Sequence, residues 1–222
     1  MIRSDRSVTI ALPKGRLLTP TVEFLKSVGL HHPGLNASDG DRRLIFNGRG
    51  TRAVVVRASD VPTYVEHGAA DLGIVGKDML LEQNRDVYEP LDLGYGHCRL
   101  IVAAPMGRPL DPHTARIRVA TKYPRITEGH FSRKAMVVEI IKLSGAVELA
   151  PLVGLSDWIV DLITTGRTLR AHHLEERETI AECTARLIVN RASLKTKTDA
   201  VLRLMERFQK EVERRESTPV QR

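Results

Sequence analysis

The chain has 222 residues, 42% hydrophobic and 27% charged, enough to bury a sizeable core in one domain or two small ones. No apolar run approaches the ~20 residues of a bilayer-spanning helix, and the opening Met-Ile-Arg-Ser-Asp-Arg leads into too short and interrupted a run for a secretory signal, so a cytoplasmic protein is expected. The surplus of +7, from 34 Lys and Arg against 27 Asp and Glu, favours an anionic partner. These cations are scattered and do not interleave with the four Phe and four Tyr, which argues against a nucleic-acid surface and for a phosphate-rich small molecule. The two cysteines, Cys98 and Cys183, make neither a metal-ligand pattern nor a disulfide framework and read as core or near-core.

Ser7 to Leu12 is a β-rich run followed by Pro13-Lys14-Gly15-Arg16 and then a helix with Leu18, Val22, Leu25 and Val28 at helical spacing, stopped by Gly29. Pro20 belongs in its first turn. Two cations flanking a glycine just after a strand point toward anion binding, although both also suit a solvated loop. His31 to Asp41 reads as loop, Arg42 and Arg43 lead into the short run Leu44-Ile45-Phe46, and Ala53 to Val56 is a buried strand ending at Arg57. Ser59 or Asp60 caps a helix through His67, which Gly68 ends. Asp71 to Gly76 is a strand, and Gly76-Lys77-Asp78 turns into a helix, Met79 to Gln83.

Repeated strand–turn–helix alternation predicts an α/β fold with a largely parallel sheet, and ligands of such sheets sit at the carboxyl ends of the strands. The turns at 13–16, 57–60 and 76–78 then converge.

After Tyr88-Glu89-Pro90 the pattern restarts, with strands at Arg99 to Ala104 and Arg118 to Thr121 joined by a connector over Pro105 to His113. Lys122-Tyr123-Pro124 opens a helical segment to about Lys134; Met136 to Leu143 is extended; Ala146 to Ala150 is strand-like and carries Glu148 among apolar neighbours. Ser156 is expected to cap a helix through Ile163. Thr179 to Val189 returns to β character, Thr198 to Arg215 is an amphipathic helix with the stripe Val201, Leu204, Met205 and Phe208, and Ser217 to Arg222 is a frayed tail.

Between them lies Asp161-Leu-Ile-Thr-Thr-Gly-Arg-Thr-Leu169. Small hydroxyl residues around a glycine leave backbone amides open, and Arg167 adds charge. Such a turn suits a phosphate, and the same five residues also suit an ordinary surface turn.

Four segments together resemble ATP phosphoribosyltransferase: Ala11-Leu-Pro-Lys-Gly-Arg-Leu17, Arg57-Ala-Ser-Asp-Val-Pro62, Ala70-Asp-Leu-Gly-Ile-Val-Gly-Lys-Asp78 and the Asp161–Leu169 turn. Ala120-Thr-Lys-Tyr-Pro124 and Val147 to Leu155 fit the same register, so that the likeness covers roughly residues 8–195. It implies two α/β lobes around a cleft, as in type II periplasmic binding proteins, with residues 1–95 and 178–222 in the first lobe and 96–177 in the second. It implies that N1 of ATP attacks C1′ of 5-phosphoribosyl 1-pyrophosphate with inversion, giving phosphoribosyl-ATP and pyrophosphate in the first step of histidine biosynthesis, with Mg2+ carried by the substrate. A single helix follows the core where long members carry a histidine-binding regulatory domain. The chain thus resembles the short form, which implies a homodimer of catalytic chains working with a regulatory subunit similar to histidyl-tRNA synthetase, typically as a hetero-octamer.

On that likeness, Thr164, Thr165, Gly166, Arg167 and Thr168 match the 5′-phosphate loop and Asp161 the acid at the ribose hydroxyls. Glu148 stands beside them as a ligand or magnesium contact, or as one half of a buried ion pair. Lys14 and Arg16 are expected at the pyrophosphate, joined by Arg42 unless Arg43 takes its place. Arg57, Asp60, Lys77, Asp78, Lys122 and Tyr123 are further contacts to ATP or pyrophosphate; Asp60 also reads as a plain helix cap. His172 and His173 are adjacent, diverge on a helix and make no metal pair. A binding module of the same architecture and a non-catalytic subunit of an assembly are the competing readings.

Overall fold

The structure is a computed structural model describing residues 7–35, 43–107 and 117–217. The chain forms two compact units, the first running to Gly96 and resuming at Thr184, the second spanning His97–Cys183.

The first unit contains β1 (Val8–Lys14), α1 (Leu18–Ser27), β2 (Ile45–Asn47), β3 (Thr51–Arg57), α2 (Val61–Glu66), β4 (Leu72–Gly76), α3 (Lys77–Gln83) and β5 (Tyr88–Asp92). The second supplies β6 (Cys98–Pro105), β7 (Ile117–Thr121), α4 (Pro124–Ser132), β8 (Val138–Lys142), β9 (Trp158–Ile163), α5 (Arg167–Ala171) and β10 (Leu174–Cys183). The chain then returns to the first unit as β11 (Ala185–Val189), α6 (Arg191–Thr196) and α7 (Thr198–Ser217).

The first sheet has the order β2-β3-β1-β4-β11-β5. Its centre is parallel, β1 lying between β3 and β4, while β11 and β5 are antiparallel additions. A central parallel strand is covered on both faces and so reads as continuously apolar. Val8, Ile10 and Leu12 pack into a core with Phe24 and Leu25 of α1 and Val201 and Phe208 of α7. Ala11, on the alternate face, joins Val61 and Val65 of α2. Of the α7 stripe, Val201, Leu204 and Phe208 are buried and Met205 packs at the edge of the same core.

Two elements escape the periodicity. β5 contains Pro90, which is tolerated because the strand lies at the sheet edge and pairs only with β11. α6 is too short for a helical stripe; it is fixed instead by Asn190, whose side-chain oxygen accepts the Ser193 amide at 2.8 Å.

The second sheet has the order β10-β6-β9-β7-β8, parallel across β9-β7-β8 and antiparallel across β10-β6-β9. The helix expected over Ser156 to Ile163 is the strand β9. Its run Trp-Ile-Val-Asp-Leu-Ile is rich in β-branched residues and pairs on both sides, and a short run that is apolar but for Asp161 cannot be told from a buried helix turn by periodicity. The strand expected over Ala146 to Ala150 is a single 3-10 turn at Val147–Leu149, with Val147 and Ala150 entering the core three residues apart, the repeat of that helix. The return to the first unit falls after Cys183 rather than at 178, because β10 stays paired with β6 to its last residue, Cys183 opposite Cys98. Both cysteines are buried and reduced.

Arg42 lies outside the described residues, as do parts of the expected loop His31 to Asp41, of the connector Pro105 to His113 and of the tail after Ser217.

Candidate active site

β9 ends at Ile163 and the chain turns through Thr164, Thr165 and Gly166 into α5. Gly166 sits at φ +68°, a left-handed conformation in which a side chain would be strained. Leu169 is buried and anchors the short helix into the second core. Thr164, Thr165, Arg167 and Thr168 are left exposed around the bend. The turn is therefore pinned from behind and open in front.

In front of it is a cavity of ≈ 460 Å³. Thr164 to Thr168 line it together with Asp161, Glu148 and Lys122. Five of the predicted substrate contacts are thus joined by three others from separate parts of the sequence. Continuing the parallel register of β7 and β9, in which Thr121 faces Val160, brings Lys122 beside Asp161. The Asp161 Oδ1 accepts the Leu162 amide at 2.9 Å. Burial raises the Asp161 carboxyl above the ordinary aspartate range; the Leu162 amide and Lys122 draw it down, and Glu148 pushes it up again. Glu148 itself is half-buried on the 3-10 turn, not trapped among apolar side chains at a strand end. The cavity thus offers hydroxyl and cationic groups on one side and two carboxylates on the other, which suits a ligand carrying both a phosphate and sugar hydroxyls. Tyr123 is different: it is buried in the core at 4% exposure and does not line the cavity.

The other predicted residues gather in the first unit at the carboxyl ends of its parallel strands. Lys14 and Arg57 are paired across β1 and β3, and both are exposed. Gly15 follows at φ +95° and reverses the chain into the turn before α1. Arg16 is exposed and donates from Nη1 to the Gly96 carbonyl at 3.1 Å. Asp60 occupies the cap position of α2 without capping it by its side chain; its Oδ1 accepts the Ser59 hydroxyl at 3.0 Å instead. Lys77 is engaged by Glu89, with Nζ 2.7 Å from Oε2, and Asp78 is buried in the first turn of α3. Lys77 is bound into the fold because β5 brings Glu89 alongside, and β5 has no periodic signature in the chain. Among the described residues no group of three His, Cys, Asp or Glu side chains could hold a metal ion, and no helix is long and apolar enough to cross a membrane.

Fold and site together define an α/β protein with two sheets that carries exposed hydroxyl and cationic side chains at its strand-end turns. The profile of ATP phosphoribosyltransferase matches residues 57–210. The chain belongs to the ATP phosphoribosyltransferase family, transferases of histidine biosynthesis. It is 56% identical over 210 residues to an ATP phosphoribosyltransferase of Geobacter metallireducens, covering 92% of this chain and 98% of that one. It is 49% identical over 213 residues to another from Symbiobacterium thermophilum, covering 94% and 96%. Among solved structures, a chain of the ATP phosphoribosyl transferase (HisG:HisZ) complex from Thermotoga maritima superposes with a TM-score of 0.81 at 35% identity, covering 93% of this chain and 99% of that one. The Escherichia coli aliphatic sulphonate binding protein SsuA shares the fold alone, with a TM-score of 0.57 at 11% identity, covering 93% and 68%.

Proposed function

We propose that the chain joins ATP to 5-phosphoribosyl 1-pyrophosphate by the following division of labour. The single observation that carries it is the second-unit cavity in which the hydroxyl–glycine turn, Asp161, Glu148 and Lys122 meet. The 5′-phosphate lies against Thr164 to Thr168, and Asp161 receives the ribose hydroxyls. As the C1′–oxygen bond to pyrophosphate breaks, positive charge grows on the ribose and negative charge on the leaving group; the lone pair of adenine N1 forms the new bond at C1′ on the opposite face. Asp161 and Glu148 are the groups of the right sign for the ribose, and Lys14, Arg16 and Arg57 are the cations that the first unit offers to phosphate oxygens. Each is fixed by a strand end or turn before reaction, so little reorganisation is required.

Magnesium enters with the pyrophosphate. The donor set of the chain fits an ion held mostly by substrate oxygens and water, as magnesium prefers. A regulatory subunit related to histidyl-tRNA synthetase completes the working assembly, a hetero-octamer built on homodimers of this chain in the cytoplasm; the HisG:HisZ complex of the Thermotoga maritima relative supports a second kind of subunit. The decisive experiment is mass spectrometry of a mixture of the protein, ATP, 5-phosphoribosyl 1-pyrophosphate and magnesium. Phosphoribosyl-ATP and pyrophosphate are expected; no adduct, with or without the regulatory subunit, overturns the reading. Free histidine is expected to leave the isolated chain uninhibited at concentrations that inhibit the assembly.

A further inference from the structure

Thr121 is the last residue of β7 and is fully buried, yet it carries a hydroxyl. A buried hydroxyl with no partners is costly, and this one has two close partners, with the Thr127 hydroxyl a third at 3.4 Å. It donates to the Val160 carbonyl of β9 at 2.8 Å and accepts the Tyr123 amide at 2.9 Å. The Val160 carbonyl belongs to the peptide that leads into Asp161. The Tyr123 amide belongs to the peptide that leaves Lys122. One oxygen therefore grips the two peptide planes flanking the acid and the base that meet in the cavity. The assembly is stiffened further by Thr127, also fully buried, whose Oγ1 donates to the Tyr123 carbonyl at 2.7 Å.

We infer that Thr121 is a positioning residue: its hydroxyl sets the spacing of Lys122 and Asp161 without touching substrate. Its part in turnover rests on the function proposed above; the spacing itself does not. A threonine serving only the fold would lose stability with its oxygen but leave Asp161 and substrate binding unchanged, whereas the loss of a clamp moves both. Thr121→Val keeps the shape and leaves the Tyr123 amide and Val160 carbonyl without their shared partner; Thr121→Ser keeps the oxygen.

The full chain with 13C-labelled aspartate gives the first readout. Lys122, Glu148 and the Leu162 amide are the groups that act on Asp161. In Thr121→Val, Lys122 is released and the Asp161 carboxyl should titrate at higher pH than in the wild type, while Thr121→Ser should match the wild type. The second readout is kinetic: the valine variant should raise KM for 5-phosphoribosyl 1-pyrophosphate about tenfold, the effect of losing roughly one buried hydrogen bond, with KM for ATP within about twofold. Serine should restore both. An unchanged Asp161 titration in the valine variant, or equal behaviour of valine and serine variants, overturns the clamp. A wild-type protein that forms no adduct would instead overturn the functional reading, and the titration would still decide the clamp. Should the valine variant not fold, Thr121→Ala is read the same way. In the wild type the Tyr123 amide is expected to exchange with solvent as slowly as strand amides, and exchange at loop rates would also overturn the clamp.

Discussion

Lys14 and Arg57 face each other across the carboxyl ends of β1 and β3, two like charges in register on neighbouring strands. Side by side they repel, unless an anion sits against them. Replacing either by Met is expected to lower kcat/KM by about tenfold or more, the usual scale for a donor aimed at developing charge, while the thermal midpoint holds or rises. The double variant should lose less than the product of the two single losses, because both act on one group of oxygens. Steady-state kinetics and thermal unfolding on the same preparations check both halves.

Asp161 couples activity to stability with opposite signs. Burial raises its folded-state carboxyl above the unfolded value, so the folded protein holds this proton more tightly than the unfolded chain does. The resulting stabilisation is present below the ordinary aspartate value of 3.8 and is lost as pH rises through the elevated one. At neutral pH the ionised carboxylate is a cost to the fold. Asp161→Asn is therefore expected to raise the thermal midpoint at neutral pH and to cut turnover. A lower midpoint in calorimetry would contradict the sign.

Gly166 holds φ +68° at the bend between β9 and α5, and nothing stands within 4 Å of where a Cβ would be. Space is thus available but the backbone is not: an alanine in this region is strained by about 1–2 kcal/mol. Relaxing that strain would reshape the turn. Gly166→Ala should weaken binding of ribose 5-phosphate by roughly tenfold, a change of about 1.4 kcal/mol, with little effect on binding of ATP. Isothermal calorimetry with each ligand separates the two.

In the first unit, Glu211 on α7 is buried between two guanidinium groups, its Oε2 2.8 Å from Nε of Arg214 and its Oε1 2.7 Å from Nε of Arg215. The hydrogen bond from Arg214 leads in holding this carboxyl down at about 2, with Arg215 and Ser27 assisting, against an ordinary 4.5. A depressed carboxylate stabilises the fold fully above its unfolded value and progressively less as pH falls through the folded one. The contribution is thus present above about pH 4.5 and disappears toward about pH 2. Glu211→Gln should lower the thermal midpoint at pH 7, and its difference from the wild type should shrink across that window. Denaturation series at several pH values would detect it.

How far the sequence spoke depended on what punctuated each element. A cation at a strand end with a helix following marks the ends of β1, β3 and β4 in the chain itself, with a glycine beside it at β1 and β4, so Lys14, Arg16 and Arg57 could be placed at strand ends from residues alone. The Asp161 to Leu169 turn is legible for the same reason, although the strand leading into it is not: Trp158 to Ile163 carries apolar residues on both faces, with Asp161 as the one break, and has no period to read. The local structure around Glu148 differs from the expected strand because a 3-10 turn of three residues looks like a strand end in a short apolar run. Lys77 and Tyr123 read as strand-end residues, but what they touch is decided by Glu89 on an edge strand and by the core, and neither partner is marked in the sequence. Thr121 gave no signal, since a threonine ending a strand is ordinary until its two partners are seen.

Cys98 and Cys183 lie opposite each other where the chain enters and leaves the second unit, and on the other side of that boundary the Ala185 amide donates to the Tyr95 carbonyl at 2.8 Å. Departure and return are therefore neighbouring strands, already stitched together on both sides. A segment with adjoining ends is the topology of one domain inserted into a loop of another. Gly96 and Thr184 are accordingly where a short linker would close the six-stranded unit on itself, and where the five-stranded unit could be exchanged as a single cassette between relatives.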